Sequence, residues 1–348
     1  MNKKKKRIWS IVFVCFLSLV LLLFTQRIVN ESRYKKAEQL LKTGDVYSAA
    51  MAFGKIGSYK DAFVRSRALF WDQQNYLTSI SMGIDHTVAI KKNGTVLSTG
   101  YGGDLTTKTG LWKNIVSVST NAFCTMGLKA DGSVLATGWK SICNVSEWKN
   151  IISISVGFFH AAGVKKDGTV VAVGNNDSGQ CEINSWKDVV TVSAGKEHTV
   201  GLKNDGAILA VGSNSEKQCE VSDWSTIKKI ATGYFHTVGL KSNGTVIATG
   251  KNNHHQCDVS TWHDIVDIFA GPDATFGLKS DGTVLMAGDE ELEQSLNLSS
   301  WSDIVALSAG WWNIIGLKAD GTIVYAGTNS YNELNIEKWR DIQIPSHS

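Results

Sequence analysis

Four histidines are the residues in this sequence whose type and spacing first point to chemistry. They occupy one repeat position, five residues before a lysine: His86, His160, His198 and His236. An imidazole that titrates near neutrality serves as a general base or a metal ligand. Other units place Cys124, Ala274 and Asn313 at this position, and a catalyst is rarely interchangeable with alanine. We therefore expect a local structural hydrogen bond at a strand start, and no catalysis.

Four cysteines also share one position, five residues before a tryptophan: Cys143, Cys181, Cys219 and Cys257. Such a set could form disulfides or a zinc site. A disulfide needs Cα atoms within about 7 Å, whereas equivalent sites on packed neighbouring sheets are about 10 Å apart. We therefore expect free thiols and no four-cysteine metal site. Thr107, Leu296 and Leu334 replace cysteine in other units, which indicates a small apolar role.

The stretch His254-His255 with Cys257 has the composition of a metal site. Ser178-Gly179 and Glu216-Lys217 fill the corresponding positions in other units, which favours a variable loop. We expect no metal and no cofactor. Since no nucleophile, base and orienting group stand out from the repeat, we also expect that the protein is not an enzyme.

Aromatic side chains recur in the two-residue loop that precedes each histidine position. The loop pairs are Ile84-Asp85, Ala122-Phe123, Phe158-Phe159, Lys196-Glu197, Tyr234-Phe235, Pro272-Asp273 and Trp311-Trp312. Equivalent loops of a closed ring lie on one face, and aromatic residues are frequent in binding hot spots. The expected partner-binding face is therefore Phe123, Phe158, Phe159, Tyr234, Phe235, Trp311 and Trp312, flanked by Asp85, Lys196 and Glu197. The alternative is that one aromatic of each pair folds inward against the next blade.

These loops belong to a unit repeated seven times between Ile80 and Trp339. Each unit has an apolar run, an Asp-Gly or Asn-Gly pair such as Asp205-Gly206, and a second apolar run, which predicts a two-residue type I′ hairpin. Its closing tryptophan recurs at intervals of 36, 38, 38, 38, 39 and 38 residues. Regular spacing of this kind is typical of repeat architectures in which units stack in one way.

The fourth unit predicts the strands of one blade. Val189 to Ala194, His198 to Leu202 and Ala207 to Val211 alternate, and Cys219 to Val221 offers a short outer strand. We therefore predict an all-β fold: a seven-bladed β-propeller of four-stranded blades. Asp341 to Ile344 spells the start of an eighth unit, and we expect it to pair near the first blade and close the ring.

The N-terminus predicts a membrane anchor. Lys3 to Arg7 is basic, and Ile8 to Phe24 is uncharged, at about 25 Å the length of a short transmembrane helix. Without a small-x-small cleavage pattern, an uncleaved signal anchor is favoured over a cleaved signal peptide. The positive-inside rule puts the N-terminus in the cytoplasm and the propeller outside the cell, so we expect a single-pass cell-membrane protein.

Net charge argues against nucleic-acid binding. The whole chain carries +3, and without the five cations of the N-terminal tail the remainder is −2. A nucleic-acid partner needs a basic surface, which this remainder does not offer.

Between the anchor and the repeats, the periodicity is helical. Tyr34, Ala37, Leu40 and Leu41 share one face, and Leu40, Gly44, Ala49, Phe53 and Ile56 match the spacing of a tetratricopeptide unit, so this segment resembles one such repeat with an extra helix. We expect a helical stalk, with a peptide-binding groove as the alternative. The predicted division is 1–30 for tail and anchor, 31–76 for the tetratricopeptide-like stalk and 77–348 for the propeller.

The repeats resemble a known family. The pattern G-x-x-H-T-x-G-L-K-x-D-G-T-V-x-A-x-G-x-N-x-x-G-Q, nearly complete at Gly157–Gln180 and Gly195–Gln218, is similar to the regulator-of-chromosome-condensation repeat. The short units are closer to the bacterial β-lactamase inhibitor protein II type, and the resemblance covers Ile80 to Ile344. It implies a rigid ring whose loops on one face bind another protein.

Three functions remain open on this sequence. The first is a membrane-anchored, non-catalytic module that binds a protein partner at the cell envelope as a monomeric propeller. The second is a cell-wall or carbohydrate binder, since aromatic platforms also stack on sugars. The third is a hydrolase or lyase whose site is assembled from several blades, which close carboxylates of raised pKa would indicate.

Overall fold

The computed structural model describes residues 25–43, 49, 52–53, 56, 77–101 and 107–344 of the 348-residue chain. Contacts divide the chain into two compact units, Met1–Gln73 and Gln74–Ser348. The second unit contains all seven repeats and every candidate site residue. The predicted division at 30/31 and 76/77 remains a prediction.

The first unit contains a helix, α1, over residues 25–42, and residues 49, 52, 53 and 56 are also helical. Tyr34, Ala37, Ala49, Phe53 and Ile56 form a buried cluster. The rings of Tyr34 and Phe53 meet edge to face at 5.1 Å between centroids. The apolar face expected around Tyr34 and Ala37 therefore packs against the helical residues that follow.

The predicted membrane anchor, Ile8 to Phe24, lies outside the described residues. In the part of the chain that the structure describes, no helix combines the length and the apolar character that crossing a bilayer requires.

The second unit contains seven antiparallel sheets, one per repeat, and each has three strands in sequence order. The first strands are Ile80–Met82, Ile115–Thr120, Ile151–Val156, Val189–Ala194, Ile227–Thr232, Ile265–Ala270 and Ile304–Ala309. The middle strands are His86–Ile90, Cys124–Lys129, His160–Lys165, His198–Lys203, His236–Lys241, Thr275–Lys279 and Asn313–Lys318. The third strands are Val96–Gly100, Val134–Gly138, Val170–Gly174, Ile208–Gly212, Val246–Gly250, Val284–Ala287 and Ile323–Gly327. The seven-bladed propeller is thus present.

The prediction of four-stranded blades is wrong, since the described part of each blade has three strands. In the fourth repeat, Cys219 to Val221 forms turns in place of an outer strand. The N–H of Cys219 donates to Asn214 Oδ1 at 2.9 Å, and the N–H of Val221 to the carbonyl of Cys219 at 2.9 Å. These local bonds occupy the backbone groups that a strand ladder would use.

Among the described residues, a short helix follows the third strand in the second and sixth repeats. Helix α2 is Lys140–Cys143 in the second repeat, and helix α3 is Glu290–Leu296 in the sixth, followed by a 3₁₀ turn, Leu298–Ser300. Asp289 caps α3 by accepting the N–H of Glu291 at 2.9 Å.

The Asp-Gly turns are not the expected type I′. At Asp205-Gly206 only the glycine has positive φ, at 83°. The N–H of Gly206 donates to the carbonyl of Lys203 at 3.0 Å, and that of Lys203 to the carbonyl of Ala207 at 2.9 Å. This is a three-residue loop, a type I turn closed by a left-handed glycine. Asp205 Oδ1 accepts the N–H of Ala207 at 3.0 Å, which holds the aspartate in the turn.

In six of the seven repeats, the closing tryptophan packs on a glycine of the next blade's middle strand. An added Cβ at Gly201 would lie 2.5 Å from Trp186 Cζ3, and one at Gly127 would lie 2.7 Å from Trp112 Cζ3. The same contact recurs at Gly163, Gly239, Gly277 and Gly316. The second to seventh blades therefore present a glycine to the indole of the preceding repeat.

Serines of the first strands link neighbouring blades. The N–H of Thr120 donates to Ser81 Oγ and that of Met82 donates to Ser308 Oγ, at 3.0 and 2.8 Å. Ser119, Ser155 and Ser193 make the same bond to the next blade at 2.9 to 3.1 Å. The bond to Ser308 joins the seventh blade to the first, so the series runs across the point of closure.

The repeated histidines also link blades, which corrects the expectation of a purely local bond. His160 Nε2 lies 2.7 Å from Thr199 Oγ1 of the next blade, and that hydroxyl donates to the carbonyl of Gln180 at 2.7 Å. Because the hydroxyl proton is used there, His160 must donate through Nε2. His198 with Thr237 and His236 with Thr275 repeat this pattern at 3.1 and 3.0 Å.

Closure uses the end of the chain, as expected for Asp341 to Ile344. Ile342 forms an antiparallel bridge with Lys91, and the N–H of Gln343 donates to the carbonyl of Ile90 at 2.8 Å. Trp339 packs in one buried cluster with Ala89 of the first blade. The last repeat therefore gives the first blade a packing tryptophan, as the other blades receive from their predecessors.

The expectation that Cys143 is a free thiol is wrong. Cys143 forms a disulfide with Cys124, with Cα atoms 6.0 Å apart. Cys124 occupies the histidine position and Cys143 lies in α2 of the same repeat, so the distance between equivalent positions of neighbouring blades does not apply. Cys181, Cys219 and Cys257 are free, as expected.

Replacing Gly201 with alanine tests the indole contact. We expect Gly201→Ala to lower the free energy of unfolding by about 1–3 kcal/mol, because the methyl group overlaps Trp186. Gly110→Ala is the control, since nothing lies within 4 Å of its added Cβ. Urea unfolding of both variants measures the difference, and equal stability would contradict the packing argument.

The buried histidines predict acid sensitivity. Burial lowers the pKa of His160 and His236 from 6.5 to about 4, and of His198 to about 3. Below about pH 6.5 the histidines of the unfolded chain take up protons, whereas the buried histidines of the folded chain stay neutral. Their contribution to the free energy of unfolding is therefore fully present above pH 6.5 and is lost as the pH falls toward 4. Between pH 7 and 5 we expect a loss of about 1–2 kcal/mol per buried histidine.

Denaturant unfolding at several pH values measures this loss. His198→Asn is the matched variant, because Asn313 stands at the same position in the seventh repeat. It should show a shallower pH dependence than the parent. Parent stability that stays constant from pH 7 to 5 would refute the expectation.

Removing the disulfide should destabilise the propeller. Cys124 and Cys143 are 19 residues apart, and closing a loop of this size stabilises by about 3 kcal/mol. A reductant should therefore lower the unfolding midpoint of the parent and leave that of Cys124→Ala/Cys143→Ala unchanged. Cys219→Ala, which removes a free thiol, controls for loss of a cysteine. An equal response of parent and double variant to reductant would rule out the bridge.

Candidate functional site

The candidate face consists of the loops that join first to middle strands and the segments that follow the third strands. These segments share one side because the third strand runs antiparallel to the middle strand. In the fourth blade, for example, His198 at the start of one pairs with Gly212 at the end of the other. A residue just after the third strand therefore lies beside the two-residue loop of the same blade.

A continuous series of aromatic rings crosses this face. We call it the aromatic series, and its members in order are Trp139, Phe123, Phe158, Tyr234, Trp311 and Trp312, with Phe159 and Phe235 as branches. Centroids of successive rings lie 4.1 to 6.4 Å apart, and most pairs meet edge to face. The structure thus brings together all seven aromatic residues proposed from the sequence.

The middle of the series connects blades that are not neighbours. Phe158 of the third blade meets Tyr234 of the fifth at 5.1 Å, and Tyr234 meets Trp311 of the seventh at 5.9 Å. Contacts that skip the fourth and sixth blades require these rings to point toward the ring axis. The first residue of each loop pair that has two aromatic residues therefore folds inward, toward the ring axis.

Tyr234 is the most enclosed member, at 8% exposure. Its backbone is bonded on both sides: its N–H donates to the carbonyl of Pro272 at 3.0 Å, and its carbonyl accepts the N–H of Lys196 at 3.2 Å. Burial raises the pKa of its hydroxyl well above the usual range. Tyr234 is thus a structural centre that holds neighbouring loops together.

The ends of the series are exposed. Trp139 is 50% exposed, Trp311 41% and Trp312 55%. The indoles of Trp311 and Trp312 are nearly parallel, at 6° and 6.4 Å between centroids. Large aromatic surface therefore meets solvent at two separate places on one face.

Lysines accompany the rings. Lys196 Nζ lies 4.8 Å from the centroid of Phe235 and 5.9 Å from that of Phe158. Lys251 Nζ lies 5.7 Å from the Phe235 centroid and 3.3 Å from Asp273 Oδ1. Of the expected polar flank, Lys196 therefore joins the aromatic series directly.

The two acidic members of the expected flank make contacts of other kinds. Asp85 Oδ1 is 2.8 Å from His86 Nδ1, so its carboxylate is used within its own loop. Glu197 is half-buried in the loop of the fourth blade, and its carbonyl accepts the N–H of Ser213 at 2.8 Å.

Sequence reasoning missed Trp139 and Lys251. Trp139 stacks on Phe123 at 4.1 Å between centroids and an interplanar angle of 20°. Both residues immediately follow the glycine that ends a third strand, Gly138 and Gly250. That position lies on the same face as the loop pairs, so counting it along with them would have found these residues. The adjacent Cys124–Cys143 disulfide ties α2, which begins beside Trp139, to the blade.

The cysteines and the exposed histidine that the sequence also suggested for chemistry lie in surroundings that favour a structural role. Burial raises the pKa of Cys219 to about 11 and of Cys257 to about 12, which disfavours their reactive thiolates. His255 Nδ1 lies 2.8 Å from Asp258 Oδ2 within one turn. Across the described residues, His, Cys, Asp and Glu side chains do not gather in threes as a metal ion would need.

The carboxyl groups of the described residues show no raised pKa that would indicate an acid-base pair. Where the described residues show a shifted carboxyl pKa, the shift is downward, as at Asp167, where hydrogen bonds from Thr169 hold the pKa below its usual range. These aspartates mostly serve hairpin turns and a helix cap.

Three consecutive repeats match the regulator of chromosome condensation (RCC1) repeat, at residues 151–180, 189–218 and 227–256. These are the third, fourth and fifth blades. No curated protein matches the chain.

Several solved structures share the fold. The CRINKLY WD40 ectodomain of the Arabidopsis thaliana receptor kinase ACR4 matches with a TM-score of 0.61 at 18% identity, over 72% of this chain and 95% of that one. The ectodomain of the Physcomitrella patens receptor kinase CR4 matches with 0.60 at 16%, over 72% and 73%. Prp20p of Saccharomyces cerevisiae, described with its binding to Gsp1p and histones, matches with 0.54 at 14%, over 71% and 81%.

At these identities the likeness concerns the fold alone. Together with the matched repeats, it supports an RCC1-type β-propeller.

Proposed function

We propose that this protein is a membrane-anchored, extracellular β-propeller that binds a protein partner through its aromatic face and does no catalysis. The observation that carries the proposal is the continuous aromatic series, whose ends at Trp139 and Trp312 are half exposed. Rigid aromatic side chains bury large apolar area at small entropic cost, which is why they dominate binding hot spots. The edge-to-face contacts hold the rings in place before a partner arrives.

Ring geometry favours a protein partner over a sugar. Stacking on a sugar needs a free ring face, but Phe158 and Tyr234 turn their faces and edges to one another. The rings instead form a cohesive apolar floor with cationic Lys196 above it. Such a floor, edged by charge, resembles the apolar core and polar rim of protein interfaces.

Sequence supports the cellular placement. Basic residues followed by the apolar stretch Ile8–Phe24 suit a single-pass anchor with a cytoplasmic N-terminus. The Cys124–Cys143 disulfide suits the oxidising conditions outside the cell. The helical unit, with its tetratricopeptide-like spacing, would serve as a stalk between membrane and propeller.

Fold-level analogy agrees with this role. The receptor-kinase structures of the same fold are ectodomains, and Prp20p is described with its protein-binding properties. The short repeats also resemble the β-lactamase inhibitor protein II type, which binds protein through the same loops. A fold hosts many functions, so the aromatic series remains the main support.

Cross-linking on intact cells tests the proposal. The tagged full-length chain is treated with a membrane-impermeant cross-linker, beside a variant carrying Trp139→Ala, Phe159→Ala and Trp312→Ala. We expect at least tenfold less captured protein with the triple variant, about 1.4 kcal/mol of binding free energy. Leu111→Ala is the control, because Leu111 is a 93% exposed apolar residue outside the aromatic series.

Each outcome has a distinct meaning. If the triple variant captures the same protein as the parent, the aromatic face is not the binding surface. Capture of polysaccharide in place of protein would establish the carbohydrate function. Cross-linking that appears only after the cells are lysed would contradict the extracellular placement.

A further inference from the structure

One cleft between the sixth and seventh blades opens on the aromatic face. Its volume is about 540 Å³ including the mouth. Ala274, Phe276, Leu292, Leu296, Trp312 and Asn313 form much of its wall. The walls are thus largely apolar, with one amide in the wall and carboxylates nearby.

The cleft exists because the sixth repeat departs from the others. Ala274 stands where four other blades have the histidine that reaches the next blade's threonine, and Ile314 stands in place of that threonine. The imidazole ring and its hydrogen bond are both absent, which leaves space at the joint. Helix α3 replaces the tight turn of the third, fourth and fifth repeats, and its Leu292 and Leu296 line that space.

Asn313 contributes an acceptor that needs a donor. Its Nδ2 donates to Glu333 Oε1 at 2.8 Å and to the carbonyl of Thr328 at 3.3 Å. Because both partners are acceptors, the amide orientation is determined and Oδ1 faces the other way, against Gly310 of the cleft wall. Asn313 is 5% exposed, and its Oδ1 has no hydrogen-bond partner among the described residues. A buried acceptor left unpaired costs about 1–3 kcal/mol, which a ligand donor would recover.

The mouth is acidic and aromatic. Asp273 and Asp289 both line the cleft. Asp273 Oδ1 forms an ion pair with Lys251 Nζ at 3.3 Å, and Asp289 Oδ2 lies 3.6 Å from His254 Nδ1. The first turn of α3 adds Glu290, Glu291 and Glu293. Trp312, 55% exposed, presents an indole on which a planar cation can stack.

We infer that this cleft binds an arginine side chain of the protein partner, an inference that rests on the proposed binding function. The aliphatic stem packs on Phe276, Leu292 and Leu296. The guanidinium supplies five donors, enough for Asn313 Oδ1 and a carboxylate of Asp273 or Asp289 together. Lysine has the same charge but lacks the planar fork and stacks less well on indole.

Small amides test the cleft without any partner. The full-length chain in detergent, with ¹⁵N-labelled tryptophan, is titrated with N-acetyl-argininamide, and the indole N–H signals are followed. Trp311→Phe and Trp312→Phe assign the two signals near the cleft. We expect these two signals to shift with arginine amide and the other indole signals to stay unchanged. N-acetyl-citrullinamide, neutral and of the same shape, should bind at least tenfold more weakly, and N-acetyl-lysinamide should also be weaker.

Two variants probe the site. Ala274→His restores the residue of the other blades and should abolish the shifts by filling the cleft. Asp289→Asn keeps an oxygen for the helix cap, removes one charge, and should weaken binding several-fold, so it decides the question if Ala274→His does not fold. Asp205→Asn, in a hairpin turn of the fourth blade, is the matched control and should bind as the parent does.

Arginine and citrulline amides that bind equally, tighter binding of lysine amide, or no shift at all would each overturn the assignment. So would unchanged binding in a folded Ala274→His protein. None of these results would change the outcome expected from the cross-linking experiment, because that experiment measures capture of the partner. Conversely, loss of the proposed face function would not alter the amide titration.

Discussion

The propeller depends on the contact between the tryptophan that ends one repeat and a glycine in the next blade. The indole lies so close to the middle strand that a side chain at Gly201 or Gly127 would overlap it. Each repeat therefore completes its successor, and a single repeat leaves its tryptophan without a surface. Serine and histidine bonds to the next blade run in the same direction, and Trp339 carries the relation across the closure to the first blade. There Ala89 replaces the glycine, so the closing contact tolerates one methyl group.

Because this contact is repeated, the residues that stabilise the ring differ from the residues that are available for binding. The buried indole, glycine, serine and histidine positions hold the blades, so the two-residue loops above them can vary without loss of the ring. Aromatic residues collect in these loops, and their inward members meet over the axis through Tyr234. Within each repeat, packing between blades therefore constrains the buried positions, whereas the two-residue loops on the surface are free to differ from one repeat to the next.

The sixth blade shows what a departure from the repeat produces. Ala274 removes the histidine link to the seventh blade, while α3 and its leucines replace the usual turn. The seventh repeat changes as well, with Asn313 bonded to Glu333 where other repeats have histidine and glutamine. Together these changes leave an apolar cleft with an unpaired acceptor beside Trp312. A joint that lacks the histidine bond thus coincides with an apolar cleft on the face.

The sequence alone determined the seven blades, three of the four predicted strands of the fourth blade to within one residue, the closure near Ile342 and the face on which the loops gather. It could do so because a fixed repeat places equivalent residues at equivalent sites. Three-stranded blades and the turn type depended on local hydrogen bonds, such as that of Cys219 to Asn214, which periodicity does not show. The Cys124–Cys143 bridge, the contacts of Tyr234 with blades that are not its neighbours, and the cleft at Ala274 depend on distances between different repeat positions. Only the tertiary structure decides these features. The sequence repeat relates equivalent positions of different blades, but it does not give the distances between positions that are not equivalent.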